Sequence, residues 1–136
     1  MSDTSAPAYR RILLKLSGEA LRSPGSMDNI SPEIVARIAE EIAQAHRAGV
    51  QIGLVVGGGN FWRGRSSGKM DRMDADKIGM LATVMNAIAV KDALRQQGVP
   101  AVVMTSSAMP QVADTFRSDK AVSYTHLRAH ETSQDL

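Results

Sequence analysis

Apolar and polar residues alternate along the chain in blocks that predict strands and helices in turn. Three short apolar runs each predict a strand, the first two of them buried, at 10–17, 50–56 and 101–104. Two longer segments carry apolar residues at helical spacing, and they run from Ser31 to Gly49 and from Asp74 or Asp76 to Gln97. Strands that alternate with helices predict an α/β fold with a mostly parallel sheet.

The two predicted helices differ in how their apolar residues are arranged. The first has a capping hydroxyl at Ser31, a proline in its first turn and a closing glycine at Gly49. Its apolar stripe comprises Ile34, Ile38, Ile42 and Ala45. The second is apolar nearly all round from Ile78 to Val90, interrupted by Gly79, Thr83 and Asn86. We expect that helix to be buried on two sides, against the sheet and against a further layer or subunit.

The second strand ends in three glycines and an asparagine, Gly57 to Asn60. Glycines lack Cβ atoms, so a ligand can approach the main chain, and their free backbone angles can turn successive N–H groups toward one point. Such a concavity suits a phosphate, and Arg63 adds a planar charged fork for its oxygens. The alternative is a tight strand-to-helix turn with an exposed arginine.

Lys15 lies near the carboxyl end of the first strand, before a second small-residue turn at Ser17 and Gly18. A buried lysine needs a partner or ligand, and there it could neutralise charge on a phosphoryl group in transfer. The alternative is a lysine on an edge strand that reaches solvent. Because ligands bind at the carboxyl ends of parallel strands, we expect Lys15, the glycine turn and Arg63 to surround one crevice.

Asp74 and Asp76 stand at the predicted start of the second helix. Acids at this position commonly cap the helix, but one of the two could cap while the other binds a ribose diol. The basic loop before them could instead be a nucleic-acid patch, although Asp71 and Asp74 interrupt its charge. The phosphate patterns of Walker A loops and of dinucleotide-binding proteins both fail here, since Met70 and Trp62 occupy required positions.

Composition narrows the classes of protein that the chain can represent. Lys and Arg number 16 and Asp and Glu 14, an excess too small to indicate nucleic-acid binding by itself. There are no cysteines, which excludes disulfides and thiolate metal sites. The start of the chain lacks the pattern of a secretory signal, and no apolar run is long enough to cross a bilayer. We therefore expect a cytoplasmic protein.

The two ends of the chain lack the strand and helix patterns of apolar residues that the rest of the sequence shows. Residues 1–8 predict a disordered tail, and 122–136 continue neither the strand nor the helix pattern. The stretch from Val122 to Thr132 resembles the conceptual translation of a sequencing adapter, so we interpret 122–136 as a non-native tail. His126, His130 and Glu131 have the spacing of a metal motif, but on this interpretation they bind no metal.

Several segments together resemble the bacterial uridylate (UMP) kinase family, part of the amino acid kinase superfamily. They are Lys15 to Ala20, Val56 to Asn60 with Arg63 and Gly64, Asp76 to Asn86, and Met109 to Val112. The resemblance covers residues 9–121, the N-terminal, UMP-side part of such a kinase domain. It implies a three-layer α/β/α sandwich, a homohexamer, and transfer of a phosphoryl group from Mg·ATP to UMP in pyrimidine biosynthesis. It also implies activation by GTP, although Gly25 to Ile30 departs from the family's glycine-rich regulatory stretch.

The resemblance also implies roles for individual residues. The ATP phosphates would contact Lys15, Leu16, Ser17, Gly18, Gly59 and Arg63. UMP would contact Gly57, Gly58 and, through its ribose, Asp76. Lys15 and Arg63 would be the catalytic residues, by stabilising charge during transfer. The alternatives are a relative with a carboxylate acceptor, such as acetylglutamate or aspartate kinase, and a nucleotide-binding module without catalysis.

We expect the 136-residue chain by itself to form no UDP from UMP and ATP. The resemblance implies that the adenine pocket and a catalytic aspartate belong to a part of the family's sequence that follows residue 121. A coupled assay of ADP release and direct detection of UDP test this expectation, and UDP production above the enzyme-free control would contradict it.

Overall fold

The computed structural model describes residues 8–62, 69–106, 108–115 and 125–129, the last of these as backbone only. All three predicted strands and both predicted helices are present. In chain order the elements are β1 (Arg11–Leu16), a short 3-10 helix (Gly18–Leu21), α1 (Pro32–Arg47), β2 (Gln51–Val56), α2 (Arg72–Gln96), β3 (Ala101–Thr105), β4 (Asp114–Thr115) and β5 (Thr125–Ala129).

The five strands form one sheet in the order β1-β2-β5-β3-β4. Every described pair is parallel, as the alternation of strands and helices predicted. The sequence did not predict β4 or β5, and β5 lies between β2 and β3 within the segment that we interpreted as a non-native tail. That residues 122–136 are a non-native tail stays a prediction, because the pairing of a strand does not show where its sequence came from.

Helix α1 has the ends that its sequence predicted. The Ser31 hydroxyl accepts a hydrogen bond from the Ile34 N–H at 3.3 Å, and Gly49 follows the helix with a φ of 94°. A residue with a side chain would be strained in that left-handed conformation. The predicted apolar stripe is rotated from the observed one, because the buried residues of the helix are Val35, Ala39, Ile42 and Ala43.

Helix α2 begins earlier than predicted, at Arg72. The cap is Asp71, whose carboxylate accepts a hydrogen bond from the Asp74 N–H at 3.2 Å. Asp74 therefore lies in the first turn and Asp76 in the second, so neither of these acids is the cap. The helix ends at Gln96, and Gly98 follows with a φ of 78°.

Both helices pack on one face of the sheet. In β2 the residues at every second position are buried, and they face the helices. The shared core includes Ile52, Leu54 and Val56 of β2, Ala39 and Ile42 of α1, Ala87, Val90 and Leu94 of α2, and Ala101 and Val103 of β3. The described residues thus form two layers, a helical layer and a sheet, of the three that the family resemblance implies.

One face of α2 remains exposed in the described part of the chain. Ile78, Leu81 and Met85 are 37%, 50% and 47% exposed, and their spacing places them on one side of the helix. The prediction that α2 is buried against the sheet is confirmed, while its burial on a second side stays a prediction. Among the helices that the structure describes, none combines the length and the apolar character that crossing a membrane requires.

Strand β1 lies at the edge of the described sheet, and the prediction that it is buried is wrong. It pairs with β2 on one side, and Leu13 and Leu14 are 73% and 39% exposed. An apolar sequence shows that a strand can be buried, but its place in the sheet decides whether neighbours cover it. Lys15 is accordingly exposed as well.

Two leucines on neighbouring strands should differ in what they contribute to stability. Leu54 is 2% exposed and belongs to the core, whereas Leu13 is 73% exposed. We expect Leu54→Ala to lower the free energy of unfolding by about 2–5 kcal/mol, and the matched change Leu13→Ala to lower it by less than about 1 kcal/mol. Urea denaturation followed by circular dichroism measures both, and equal losses would contradict the assignment of β1 to the edge.

Candidate phosphate-binding site

Two small-residue turns meet where β1 and β2 end. The strands are parallel and in register, with Lys15 opposite Val55 and Leu16 opposite Val56. The Gly57 N–H then donates to the Leu16 carbonyl at 2.8 Å, which joins the start of the second turn to the end of the first strand. The structure therefore brings Lys15, the Ser17–Gly18 turn and the Gly57–Asn60 turn to the same edge of the sheet.

Gly18 is packed directly against the second turn. A Cβ atom at this position would lie 2.5 Å from the Asn60 Oδ1, 2.7 Å from the Gly59 nitrogen and 2.9 Å from the Gly57 oxygen. Two of these three neighbours are backbone atoms, which cannot rotate away as a flexible side chain can. Only glycine fits at position 18 without moving the second turn.

Two of the three glycines of the second turn, Gly57 and Gly58, allow close contact with the protein itself. None of the three has a positive φ, so the expectation that they adopt special backbone angles is wrong. At Gly58 a Cβ atom would lie 2.9 Å from the Ala82 Cβ and 3.1 Å from the Gly79 oxygen, both on α2. At Gly57 it would lie 3.3 Å from the Gly18 nitrogen.

Gly59 is the member of the triplet with an open side. The nearest atom to a Cβ built there is the Glu19 Cγ at 3.7 Å, an ordinary contact distance. Within the described residues, the N–H groups of Gly58 and Gly59 donate to no other backbone carbonyl. N–H groups on adjacent residues that no backbone carbonyl occupies are suited to donate hydrogen bonds to the oxygens of an anion.

A pair of buried side-chain amides fastens this turn to α2. Asn60 and Asn86 are 4% and 0% exposed, and each donates to the other's Oδ1, at 3.0 Å and 2.7 Å. The second N–H of the Asn60 amide donates to the Asn29 carbonyl at 2.8 Å, and that of Asn86 donates to the Gly57 carbonyl at 2.8 Å. This role of Asn86 was not predicted from the sequence. The signal that could have revealed it is an asparagine inside an apolar helical segment, because asparagine is disfavoured in helix interiors unless it has a specific partner.

Asp76 lies on the same end of α2 as the docked turn. It precedes Gly79 by three residues and Thr83 by seven, so the three share one face of the helix. Gly58 contacts that face at Gly79 and Thr83, and Asp76 is exposed one helical turn beyond. Asp76 thus lies one helical turn from the point where the glycine turn meets α2, and Asp71 rather than Asp76 caps the helix.

The remaining predicted site residues divide into described and undescribed ones. Leu16 is half-buried, and Ser17 is exposed and precedes the 3-10 helix. Arg63, with Arg65 of the same basic loop, lies outside the described residues, as do His130 and Glu131. Their predicted roles remain predictions, and so do the ligand contacts of the described residues. In the described ranges, no group of three or more His, Cys, Asp or Glu side chains could hold a metal ion.

The family model that matches this chain is the amino acid kinase family, over residues 10–133. The chain is also similar to two uridylate kinases. It is 50% identical over 128 residues to that of Ectopseudomonas mendocina (strain ymp), which covers 92% of this chain and 50% of the relative. It is 48% identical over 116 residues to that of Pediococcus pentosaceus, which covers 84% of this chain and 48% of the relative.

Two solved structures resemble the fold. The UMP kinase from Bacillus anthracis superposes with a TM-score of 0.81 at 31% identity, covering 89% of this chain and 52% of that protein. The UMP kinase from Ureaplasma parvum gives a TM-score of 0.80 at 28% identity, covering 88% and 53%. The chain therefore spans about half the length of the relatives that it matches.

The glycine contacts predict opposite outcomes for two neighbouring substitutions. Gly58→Ala forces a methyl group against α2, where the Ala82 Cβ is 2.9 Å away, and we expect it to destabilise the fold by about 1–3 kcal/mol. Gly59→Ala meets nothing closer than 3.7 Å and restricts the unfolded chain, so we expect no loss or a gain of up to about 1 kcal/mol. Thermal and urea unfolding measure both variants. A Gly59→Ala loss as large as that of Gly58→Ala would contradict the described packing.

Proposed function

Because the chain belongs to the amino acid kinase family, we propose that it binds UMP and the phosphates of ATP as part of a uridylate kinase. In that reaction an oxygen of the UMP phosphate attacks the γ-phosphorus of ATP, and the bond from that phosphorus to ADP breaks. UDP and ADP are the products. The observation that carries the proposal is the contact of two small-residue turns at the ends of adjacent parallel strands, where Gly18 packs on Gly57–Asn60.

The donors at the carboxyl ends of β1 and β2 support the proposed phosphate binding. The N–H groups of Gly58 and Gly59 supply hydrogen bonds, and Lys15 supplies a positive charge on the adjacent strand, opposite Val55. Phosphoryl transfer depends on positioning and on neutralising the charge of the transferred group, and these residues are suited to both tasks. Arg63 follows the glycine turn closely in sequence, and in the proposal it contacts the same phosphates.

Ribose binding is proposed for Asp76. A carboxylate can accept hydrogen bonds from two adjacent hydroxyl groups, which is the arrangement in a ribose diol. Asp76 is exposed, and it stands one helical turn from the point where Gly58 contacts α2. A nucleotide whose phosphate lies at the turn could therefore extend its ribose toward this acid.

The proposal includes the co-substrate and the setting of the enzyme. ATP would arrive with Mg²⁺, which would neutralise phosphate charge during the transfer. We further propose a cytoplasmic enzyme that assembles as a homo-oligomer, a hexamer by family resemblance, and that GTP activates. The exposed apolar stripe of α2, from Ile78 to Met85, is consistent with assembly.

A binding panel tests the choice of substrate. UMP should raise the melting temperature of the chain in a concentration-dependent way, since a ligand that binds the folded state stabilises it. N-acetylglutamate and aspartate, the acceptors of related kinases, should leave it unchanged. A shift with N-acetylglutamate or aspartate and none with UMP would replace the uridylate assignment by one of the carboxylate kinases.

Two acids on α2 provide a matched test of ribose binding. We expect Asp76→Asn to weaken UMP binding about tenfold, because a neutral amide accepts a hydrogen bond less strongly than a carboxylate does. Asp74→Asn removes the same charge two residues earlier and should leave the affinity within about twofold. Isothermal titration with UMP measures both. Equal effects would show that the charge of the helix end, rather than a contact from Asp76, governs affinity.

A further inference from the structure

We propose that Asn86 is a positioning residue whose side-chain amide sets the orientation of the Gly57–Asn60 turn and thereby the affinity of this edge for a nucleotide phosphate. The part of this inference that concerns the ligand rests on the proposed function. The part that concerns the turn rests on contacts within the chain alone. Asn86 acts through the turn, since it is completely buried beneath it.

The amide pair uses all of its hydrogen-bonding protons. A primary amide carries two N–H protons, and the two side chains together carry four. Two of these bonds join Asn60 and Asn86 to each other, one goes to Asn29 O and one goes to Gly57 O. Both Oδ1 atoms also accept a hydrogen bond within the pair. Neither amide has an unused proton for an alternative partner.

The surroundings allow one orientation of the two amides. The outer partners are backbone carbonyls, the Asn29 and Gly57 oxygens, which accept and cannot donate. Rotating either amide by half a turn would place its oxygen against a carbonyl oxygen. The pair is therefore a fixed link between the turn and α2.

This link determines where a phosphate-binding N–H points. The Gly57 carbonyl and the Gly58 N–H belong to the same planar trans peptide, so they point in opposite directions. Asn86 holds that carbonyl at 2.8 Å toward α2, which aims the Gly58 N–H away from the helix. The Gly57 N–H is held by the Leu16 carbonyl on the preceding side. Gly57 is thus held through both its N–H and its carbonyl, and the carbonyl belongs to the peptide that carries the Gly58 donor.

The experiment separates positioning from simple stabilisation of the core. Asn86→Ala removes the link, while Val90→Ala removes buried volume one helical turn away on α2, at a residue that is 0% exposed and belongs to the core. Each variant is titrated with UMP calorimetrically, at a temperature where thermal melts show that both are folded. We expect Asn86→Ala to weaken UMP binding by at least about tenfold and Val90→Ala by less than about twofold.

A second variant identifies the missing donor. In Asn86→Asp the ionised carboxylate cannot donate to the Gly57 carbonyl, but the protonated acid can, and burial favours the protonated form. Its affinity relative to the wild-type chain at the same pH should therefore recover between pH 7 and pH 5. The ratio for Asn86→Ala should stay constant. If Asn86→Ala does not fold, Asn86→Asp replaces it in the comparison with Val90→Ala.

A readout without ligand makes the inference independent of UMP. Trp62 is the one tryptophan of the chain, and its backbone N–H donates to the Gly58 carbonyl at 3.1 Å. We expect Asn86→Ala to shift its fluorescence emission to longer wavelength and to increase acrylamide quenching, because the turn loosens, while Val90→Ala leaves both unchanged.

The two readouts distinguish the possible failures. If the wild-type chain does not bind UMP, the proposed function fails, and the fluorescence comparison still decides whether Asn86 sets the turn. If the wild-type chain binds UMP but Asn86→Ala and Val90→Ala behave alike in affinity and in fluorescence, Asn86 contributes only to stability and the inference is overturned. A fluorescence change without an affinity change overturns the part that concerns the ligand.

Discussion

The backbone groups of the turn after β2 need hydrogen-bond partners, although Gly18 and α2 pack closely against the turn. The Asn60–Asn86 amide pair provides such partners. A buried carbonyl without a partner is costly, and the Gly57 carbonyl lies close to Gly18 at a part-buried position. Asn86 donates to it at 2.8 Å, and Asn60 binds both Asn86 and the Asn29 carbonyl. One hydrogen-bonded cluster thus joins β2, α2 and the segment before α1 at the edge where ligands of parallel sheets bind.

The glycines complete that arrangement from the steric side. A Cβ atom on Gly18 or Gly58 would lie less than 3.0 Å from neighbouring atoms, whereas one on Gly59 would have room. The triplet is therefore not a uniformly flexible loop. Gly57 and Gly58 permit packing of the protein against itself, whereas a side chain at Gly59 would meet no close neighbour. A tightly held turn suits phosphate binding, since preorganised N–H groups need not be reoriented when the anion arrives.

The features that could be predicted from the sequence are those that depend on a residue and its neighbours along the chain. Ser31 and Gly49 mark the ends of α1 because capping and left-handed backbone depend on the residue itself. The exposure of Leu13 depends on whether another strand lies beside β1, and the pairing of β5 depends on distant partners, so neither could be read from nearby residues. The role of Asn86 was missed for a similar reason, since its partner lies 26 residues away.

Helix α2 relates the two proposed contacts with the nucleotide to one another. It carries Asn86, which holds the turn, and Asp76, which is proposed to bind the ribose, on a single uninterrupted helix. Asp76 and Asn86 are ten residues apart, which corresponds to about 15 Å along the helix axis. The glycine turn lies along much of this interval, since Gly58 meets α2 at Gly79 and Thr83. The remaining interval between Asp76 and Gly79 is less than one helical turn, about 5 Å. Because a helix has little freedom to stretch, a ribose and its phosphate would meet their partners at a spacing that the protein sets before the nucleotide binds.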